Sequence, residues 1–179
     1  NFGSEEQKKK FLPPTANLDI WWAQGFSEPD AGSDLASLKT KAVRDGDDWV
    51  VNGQKTWTTL GQHADWIFAL CRTDPEVPKH TGLSYFVIDM HQPGVEVRPL
   101  VQITGDAEFN EVFFTDVRIH DSHRMGPEGE GWAVATTTLM NERVALSGGG
   151  SPSGSENVGG GPVDELVTFA KQNGAWEDA

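Results

Sequence analysis

Residues 41–59 read Lys41-Ala42-Val43-Arg44-Asp45-Gly46-Asp47-Asp48-Trp49-Val50-Val51-Asn52-Gly53-Gln54-Lys55-Thr56-Trp57-Thr58-Thr59. Short runs rich in Val, Trp and Thr, which favour strands, are interrupted at Asp45-Gly46 and at Asn52-Gly53. Both dipeptides tolerate the positive φ that tight hairpin turns require. The stretch therefore predicts consecutive antiparallel strands joined by short turns.

The same strand pattern continues on both sides of this stretch. Segments with strand periodicity lie at 20–27, 39–44, 49–51, 55–59, 66–72, 83–90, 95–100 and 109–119, separated by turn-rich joints. Many short strands without an intervening helix are typical of a barrel or a sandwich. We therefore expect residues 39–119 to form one closed or nearly closed antiparallel barrel. No Gly-x-Gly-x-x-Gly follows a strand, so a dinucleotide would not bind in the Rossmann manner.

Helical patterns occupy the two ends of the chain. Ser4 and Gln7 have the spacing of a capping box, which predicts a helix that begins near Ser4 and ends at Pro13-Pro14. A helical pattern begins after Gly131, and another covers 162–173. Between them, residues 148–162 are rich in Gly, Ser and Pro, which predicts a mobile loop.

Composition and charge exclude several classes of function. The 179 residues include 14 basic and 27 acidic side chains, and the net charge of −13 argues against a nucleic-acid partner or an anionic membrane surface. No apolar run is long enough to span a bilayer, and the first residues show no basic n-region followed by an apolar h-region. The single cysteine, Cys71, excludes an internal disulfide and fits a reducing compartment, so we expect a cytoplasmic protein.

A second stretch carries candidate binding residues: Gln24-Gly25-Phe26-Ser27-Glu28-Pro29-Asp30-Ala31-Gly32-Ser33-Asp34. Its turn residues can direct several backbone N–H groups towards one bound anion or electron-rich ring edge. The alternative is a plain loop in which Asp34 caps a short helix at 35–38.

The order of motifs resembles the acyl-CoA dehydrogenase family. Ser27-Glu28-Pro29 with Ala31-Gly32-Ser33-Asp34 is followed by Asn52-Gly53 and by Lys55 with Trp57 and Thr59. Further matches are Ala64-Asp65-Trp66, residues 82–89, Pro93-Gly94-Val95, residues 108–114, Asp116-Val117-Arg118 and Gly129-Glu130-Gly131-Trp132. The resemblance covers nearly the whole chain.

The resemblance implies the α+β fold class, with an antiparallel β-barrel middle domain between fragments of two helical domains. The expected divisions are 1–19 for the end of the N-terminal helical domain, 20–125 for the barrel and 126–179 for the start of a truncated C-terminal helical domain. Because the chain begins at Asn1 rather than Met, both ends are expected to have been cut from something longer. We expect such a fragment to be inactive alone.

The resemblance also implies an FAD site. Phe26, Ser27, Gly32 and Ser33 would lie along the cofactor, while Trp57 and Thr59 would flank its ring. In an alternating strand, Trp57 and Thr59 share one face. Asp30 stands where the family more often has a small neutral residue, and this carboxylate would disfavour a nearby phosphate unless it points to solvent. Without the resemblance, Trp57 would be interpreted as a core tryptophan.

The implied reaction is α,β-dehydrogenation of an acyl-CoA thioester, with electrons passed to an electron-transfer flavoprotein. The base that removes the α-proton would be Glu142, as in a minority of the family, or a Glu beyond Ala179. Arg143 and Ser33 would contact the substrate. The CoA phosphates would require local Lys, Arg or backbone donors, because the chain is so acidic. The full-length protein is expected to be a homodimer or homotetramer.

Two other functions remain open. An acyl-CoA oxidase or a flavin monooxygenase could share the fold, and a non-catalytic ligand-binding barrel is also consistent with the pattern. The five histidines lack paired ligand spacing, so no metal site is expected. The sequence does not determine the length or branching of the acyl chain.

Overall fold

Eight strands form one mixed sheet in the computed structural model, which describes residues 2–146 and 163–173. The helices are α1 (Glu5–Ala16), α2 (Gly131–Leu146) and α3 (Val163–Gln172). The strands are β1 (Trp22–Gly25), β2 (Lys41–Asp45), β3 (Asp48–Thr59), β4 (Trp66–Arg72), β5 (Leu83–Asp89), β6 (Val95–Leu100), β7 (Phe109–His120) and β8 (Arg124–Met125). The chain divides into two compact units, Asn1–Thr138 and Leu139–Ala179.

The prediction of one closed or nearly closed antiparallel barrel is not confirmed. The sheet has the open order β6-β7-β3-β2-β4-β5-β8, and in the described residues no pairing joins β6 to β8. Strand β1 pairs with β4 in parallel, and β2 meets β4 in parallel at Lys41 and Arg72. Hairpin signals identify neighbouring strands but carry no information on whether the two outer strands meet. The expected absence of a long helix between the strands is confirmed.

The two glycine dipeptides have different roles. Asp45-Gly46 forms the predicted hairpin turn, with Gly46 at φ 65° and Asp45 opposite Asp48. Asn52-Gly53 does not turn the chain, because β3 continues through it as a bulge opposite β7. Gly53 is required there, since an added Cβ would lie 2.4–2.7 Å from atoms of Thr40. The prediction of a second hairpin turn is therefore wrong.

Helix α1 begins as predicted but ends later. Ser4 and Gln7 form the capping box, with the Gln7 N–H 3.2 Å from the Ser4 hydroxyl. The helix continues through Pro13 and Pro14 to Ala16, which corrects the predicted end. The carbonyl groups of both prolines still accept hydrogen bonds. The Asn17 N–H donates to the Pro13 carbonyl, and the Asp19 N–H donates to the Pro14 carbonyl. The Gln7 side chain donates to the carbonyls of Ser122 and Arg124, which attaches α1 to the end of the sheet.

The two faces of the sheet bury different side chains. The main core is a cluster that includes Trp49, Ile67, Phe86, Val112 and Val117. On the other face, aromatic rings pack in edge-to-face, tilted or stacked contacts beneath α1; these rings are Phe11, Trp22, Trp66, Phe68 and Tyr85. Alternation along β1 explains the division, because Ala23 joins the main core while Trp22 faces the aromatic layer.

The helices predicted at the C-terminal end of the chain are confirmed as α2 and α3. The loop predicted for 148–162 lies outside the described residues. Among the helices in the described ranges, none is long and apolar enough to cross a membrane.

Asp121 forms a network of hydrogen bonds at the end of the sheet next to the Asp45-Gly46 hairpin. Asp121 accepts hydrogen bonds from the Arg124 guanidinium at 2.9 and 3.0 Å and from the Trp49 indole at 2.7 Å. Arg44 lies over the Trp49 ring, 4.6 Å from its centroid, and also pairs with Asp121 at 3.4 Å. The hydrogen bonds from Arg124 are the main reason that the pKa of Asp121 falls to about 2.

The low pKa of Asp121 predicts a stability contribution that is lost in acid. A depressed carboxyl pKa stabilises the folded state above the ordinary value of 3.8, and this stabilisation disappears as the pH falls towards 2. Asp121→Asn should lower the free energy of unfolding at pH 7 by about 1 kcal/mol, since solvent screens this partly exposed group. It should also flatten the pH dependence of stability between pH 4 and 2, which urea denaturation at several pH values would measure.

Asp45→Asn is the matched control. Asp45 pairs with Arg118 at 2.7 Å, but both side chains are more than half exposed. Such surface pairs contribute about 0–1 kcal/mol, so the control should unfold nearly like the parent protein. Equal losses in the two variants would contradict the assigned role of Asp121.

Candidate functional site

The two candidate stretches of sequence meet directly in the fold. The Thr56 N–H donates to the Ser27 carbonyl at 2.9 Å, and the Lys55 ammonium donates to the Phe26 carbonyl at 3.2 Å. These hydrogen bonds hold residues 26 and 27 against the part of β3 that directly precedes Trp57. The turn after β1 and the end of β3 form one site.

Lys55 is the centre of this junction. Its side chain is fully buried, and its ammonium donates to the Glu28 carboxylate at 2.8 Å, to the Leu70 carbonyl at 2.8 Å and to the Phe26 carbonyl. An ammonium has three N–H groups, so all of its donors have acceptors. A buried charge requires this degree of pairing, because removing an ion from water costs several kcal/mol.

The Glu28 carboxylate is equally well satisfied. Besides Lys55, it accepts the backbone N–H groups of Lys39 at 2.6 Å and of Thr40 at 3.0 Å. Burial alone would raise the pKa of Glu28, but the attraction of Lys55 and these hydrogen bonds outweigh burial and hold the pKa below its ordinary value. The backbone donors gathered at this turn thus converge on the protein's own carboxylate.

The turn itself is closed by a pair of backbone hydrogen bonds. The Glu28 N–H donates to the Ala31 carbonyl and the Ala31 N–H donates to the Glu28 carbonyl, each at 3.0 Å. Gly32 and Ser33 follow immediately and are exposed. A Cβ added at Gly32 would have no atom within 4 Å, so open space lies beside this backbone.

Phe26 does not present its ring at this surface. Its side chain is buried and packs edge to face against Phe68 and Tyr85, with centroids 5.8 and 5.9 Å away. Its backbone is the part that belongs to the site, through the carbonyl that Lys55 holds. Ser27, by contrast, is half-buried at the edge of the turn.

Trp57 and Thr59 share one face, as predicted from strand alternation, and this face is exposed. Both residues are exposed, whereas Thr58 between them is fully buried. Trp57 has a positive φ of 58° at a second bulge of β3, and 61% of its surface is exposed. Its indole packs edge to face on Phe109 with centroids 5.7 Å apart, which leaves much of the ring open to a ligand.

Two acidic residues of the turn lie away from this junction. Asp30 is exposed and pairs with Lys39 at 2.9 Å, so it points to solvent. Asp34 precedes a 3₁₀ turn at Leu35–Ser37 but makes no capping hydrogen bond with its side chain. It instead accepts hydrogen bonds from Lys79 at 2.7 Å and from Ser37, and the alternative role of Asp34 as a helix cap is therefore wrong.

Glu142 and Arg143 belong to the second compact unit, near the end of α2. Both side chains are exposed. Their assignment as base and substrate contact therefore stays a prediction. Among the described residues, no group of three or more His, Cys, Asp or Glu side chains could hold a metal ion.

The open face fits a planar, hydrogen-bonding cofactor such as FAD. The large exposed indole of Trp57 offers a flat apolar surface, and the Thr59 hydroxyl lies on the same face of the strand. The hydroxyls of Ser27 and Ser33 and the open backbone at Gly32 add donors suited to polar or phosphate groups.

The sequence analysis missed Glu28 and Lys55 as members of this site. The available signal was Lys55, a lysine within a segment of strand periodicity. A lysine at such a position needs an anionic partner, and Glu28 lies in the turn already singled out. Their pairing depends on how the turn after β1 packs against β3, which local sequence does not contain.

Comparisons with known proteins agree on one family. Residues 23–117, more than half of the chain, match the family model described as "Acyl-CoA dehydrogenase, middle domain". The chain is 47% identical over 177 residues to the acyl-CoA dehydrogenase IpdE1 of Mycobacterium tuberculosis, covering 99% of this chain and 45% of that protein. It thus spans less than half the length of this relative.

Solved structures give the same result. The steroid ACAD Tcur3481-Tcur3483 superposes with a TM-score of 0.80 at 39% identity, covering 97% of this chain and 43% of that one. An acyl-CoA dehydrogenase from Geobacillus kaustophilus superposes with a TM-score of 0.77 at 40% identity, covering 82% of this chain and 39% of that one. The match of the family model over most of the sheet shows that this chain belongs to the acyl-CoA dehydrogenase family.

Proposed function

We propose that this chain is the cofactor-binding part of an FAD-dependent acyl-CoA dehydrogenase that carries out α,β-dehydrogenation of acyl-CoA thioesters. The observation that carries the proposal is the outward-facing pair Trp57 and Thr59, fixed beside the Ser27 turn by the buried Lys55. Family membership supports the same class of reaction.

The residues of this chain would act mainly by positioning the cofactor. Trp57 supplies a flat wall that excludes water from one side of the ring, and Thr59 supplies a hydroxyl at the same face. Ser27, Gly32 and Ser33 would contact the polar parts of the cofactor, and Ser33 would also contact the substrate. When bound, FAD would supply the hydride acceptor, and the proposed partner for its electrons is an electron-transfer flavoprotein.

Glu142 is the proposed base. A carboxylate that removes a proton next to a thioester carbonyl must accept it near neutral pH, which requires an apolar pocket around the carboxylate in the assembled enzyme. Arg143, adjacent on the helix, projects about 100° away from Glu142 and would contact the CoA portion or a partner subunit. The full-length protein is proposed to form a homodimer or homotetramer and to work in the cytoplasm.

Two alternatives have distinct signatures. An acyl-CoA oxidase or a flavin monooxygenase would also be reduced by its substrate but would reoxidise rapidly in air. A non-catalytic binding protein would show no flavin absorbance after purification. Visible spectra of the full-length protein, recorded anaerobically with straight-chain and steroid-derived acyl-CoA thioesters and then in air, separate all three.

The exposed indole of Trp57 predicts a direct contact with FAD. Trp57→Asn removes the ring and tolerates the positive φ at this position, since Asn is among the residues that adopt it most readily. Losing the aromatic contact should weaken FAD binding by about tenfold, equivalent to 1.4 kcal/mol. Titration of the full-length apoprotein with FAD, followed by flavin fluorescence, measures this change.

Trp21→Asn is the control for Trp57. Trp21 is also largely exposed, at 54%, but lies before β1 and away from the candidate site. Its removal should leave FAD affinity within about twofold. Equal affinities of the Trp57 and Trp21 variants would show that the indole of Trp57 does not contact the cofactor.

The proposed base predicts a separation of binding from chemistry. Glu142→Gln should retain FAD and still bind acyl-CoA, because the shape of the side chain is preserved. Flavin reduction by acyl-CoA should slow by about 10²–10⁴-fold, since no group would take the α-proton. Anaerobic stopped-flow measurement of flavin bleaching in the full-length protein gives the rate.

Glu130→Gln provides the matched substitution at another exposed carboxylate of the chain. The flavin of this variant should be reduced by acyl-CoA at the rate measured for the parent protein. Near-normal reduction of the Glu142→Gln variant would assign the base to a residue outside this chain.

A further inference from the structure

The segment that carries Trp57 and Thr59 has an unfavourable backbone. Trp57 has a φ of 58° and Leu60 a φ of 50°, so two residues with large side chains adopt the left-handed conformation close together. This conformation is costly for residues with a Cβ and rare for bulky ones. Such outliers persist only where surrounding contacts hold them, and they concentrate at functional sites. The contacts of residues 57–60 therefore determine how Trp57 and Thr59 are presented.

Asn110 of β7 is hydrogen-bonded to both sides of Leu60. It is fully buried and lies opposite Thr58, in the first pair after the bulge at Trp57. Its side-chain NH₂ group donates to the Thr58 carbonyl at 3.1 Å and to the side-chain oxygen of Gln62. One residue thus links the end of β3 to the 3₁₀ turn at 61–63 that follows it.

The neighbours of Asn110 determine which way its amide points. Three oxygen acceptors surround the Nδ2 atom, namely the carbonyls of Thr58 and Glu108 and the side chain of Gln62. An amide turned by half a rotation would place its own oxygen against these acceptors. Asn110 therefore acts on this segment as a hydrogen-bond donor.

Two buried polar atoms beside this contact are unsatisfied. Within the part of the chain that the structure describes, neither the Thr58 hydroxyl oxygen nor the Asn110 side-chain oxygen has a hydrogen-bond partner. A buried acceptor without a partner costs free energy, which an apolar side chain at this position would avoid. Stability alone therefore does not account for Asn110. The donors that it directs at Thr58 and Gln62 do account for it.

Close packing restrains the same segment. A Cβ added at Gly61 would lie 3.2 Å from the Thr58 methyl carbon and 3.5 Å from the Asn110 Cβ, so the turn lies directly against this pair. The Leu60 N–H donates to the Glu108 carbonyl at 2.7 Å. The chain at the start of β7 therefore holds the segment at several points.

From these contacts we propose that Asn110 is a positioning residue for the flavin site. Its amide holds the strained backbone of residues 57–60, so that the Trp57 indole and the Thr59 hydroxyl keep one orientation towards the cofactor. This role rests on the proposed function, which supplies FAD as the ligand of Trp57 and Thr59. Because Asn110 is fully buried, it acts through its neighbours and does not touch the cofactor.

Asn110→Leu keeps a branched side chain and removes both hydrogen-bond donors. The order of Trp57 is measured by fluorine NMR of the full-length apoprotein labelled with fluorotryptophan, in which the Trp57 resonance is the one lost in Trp57→Asn. In the parent protein this resonance should be a single narrow line. In the Asn110→Leu variant it should shift and should broaden or split, because the indole adopts more than one orientation.

FAD affinity is the second measurement, made by flavin fluorescence with the full-length protein. Asn110→Leu should weaken FAD binding by about five- to tenfold, because binding must then reorder the segment. Gln62→Met changes an exposed position and removes one acceptor of the Asn110 amide. It should broaden the Trp57 resonance in the same way and weaken FAD binding by about two- to fivefold. This variant carries the test if Asn110→Leu does not fold.

Asn52→Leu is the matched control. Asn52 lies at the other bulge of β3 and also links β3 to β7, since it donates to the Asp116 carboxylate and accepts the Asp116 N–H, each at 3.0 Å. The control should leave the Trp57 resonance unchanged and FAD affinity within about twofold of the parent value, because distant sites act independently. Thermal unfolding of all variants separates these effects from a general loss of stability.

An unchanged Trp57 resonance in the folded Asn110→Leu variant, or in Gln62→Met where the former does not fold, would overturn the positioning role. Equal losses of FAD affinity in the Asn52 and Asn110 variants would also overturn it. If the parent protein binds no FAD but the Trp57 resonance depends on Asn110, the proposed function fails and the hold of Asn110 on the segment stands. If FAD binds but the resonance ignores Asn110, the positioning role alone fails.

Discussion

The buried Lys55 ammonium is the constraint on which the candidate site depends. A charge inside a sheet must be neutralised and hydrogen-bonded, and Glu28 with two backbone carbonyls meets that requirement. Because Glu28 also accepts the N–H groups of Lys39 and Thr40, the pair fixes the start of β2 as well as the turn after β1.

This constraint also determines what faces outwards. With Lys55 and Thr56 held inside, the bulge at Trp57 turns the indole to the surface, and Thr59 follows on the same face. The site is therefore built from rigid sheet and a closed turn rather than from a long loop. Such support matters for redox chemistry, since a cofactor ring must be held in one orientation relative to its substrate.

Much of this fold could be predicted from local sequence. Strands β4 and β6 have the predicted bounds, and the Asp45-Gly46 hairpin and the Ser4 capping box are present as expected. The closed barrel and the turn at Asn52-Gly53 could not be predicted correctly. Each depends on pairing with distant strands: Asn52 exchanges hydrogen bonds with Asp116, 64 residues away. Local turn propensity is the same for a hairpin and for such a bulge.

The candidate site, too, could be predicted only in part from local sequence. Strand alternation predicts that Trp57 and Thr59 share one face, but their outward orientation depends on the bulge at Trp57. The inward ring of Phe26 and the pairing of Lys55 with Glu28 depend on how the turn after β1 packs against distant strands. A family resemblance names residues near a cofactor but does not state whether backbone or side chain makes the contact.

A double-mutant cycle on Lys55 and Glu28 tests the central claim most directly. Lys55→Met and Glu28→Gln should each lower the free energy of unfolding by about 3–5 kcal/mol, because each leaves a buried group without its partner. The double variant should lose less than the sum by about 2 kcal/mol or more, as measured by urea denaturation of the full-length protein. Strictly additive losses would contradict the claim that this ion pair holds the two halves of the site together.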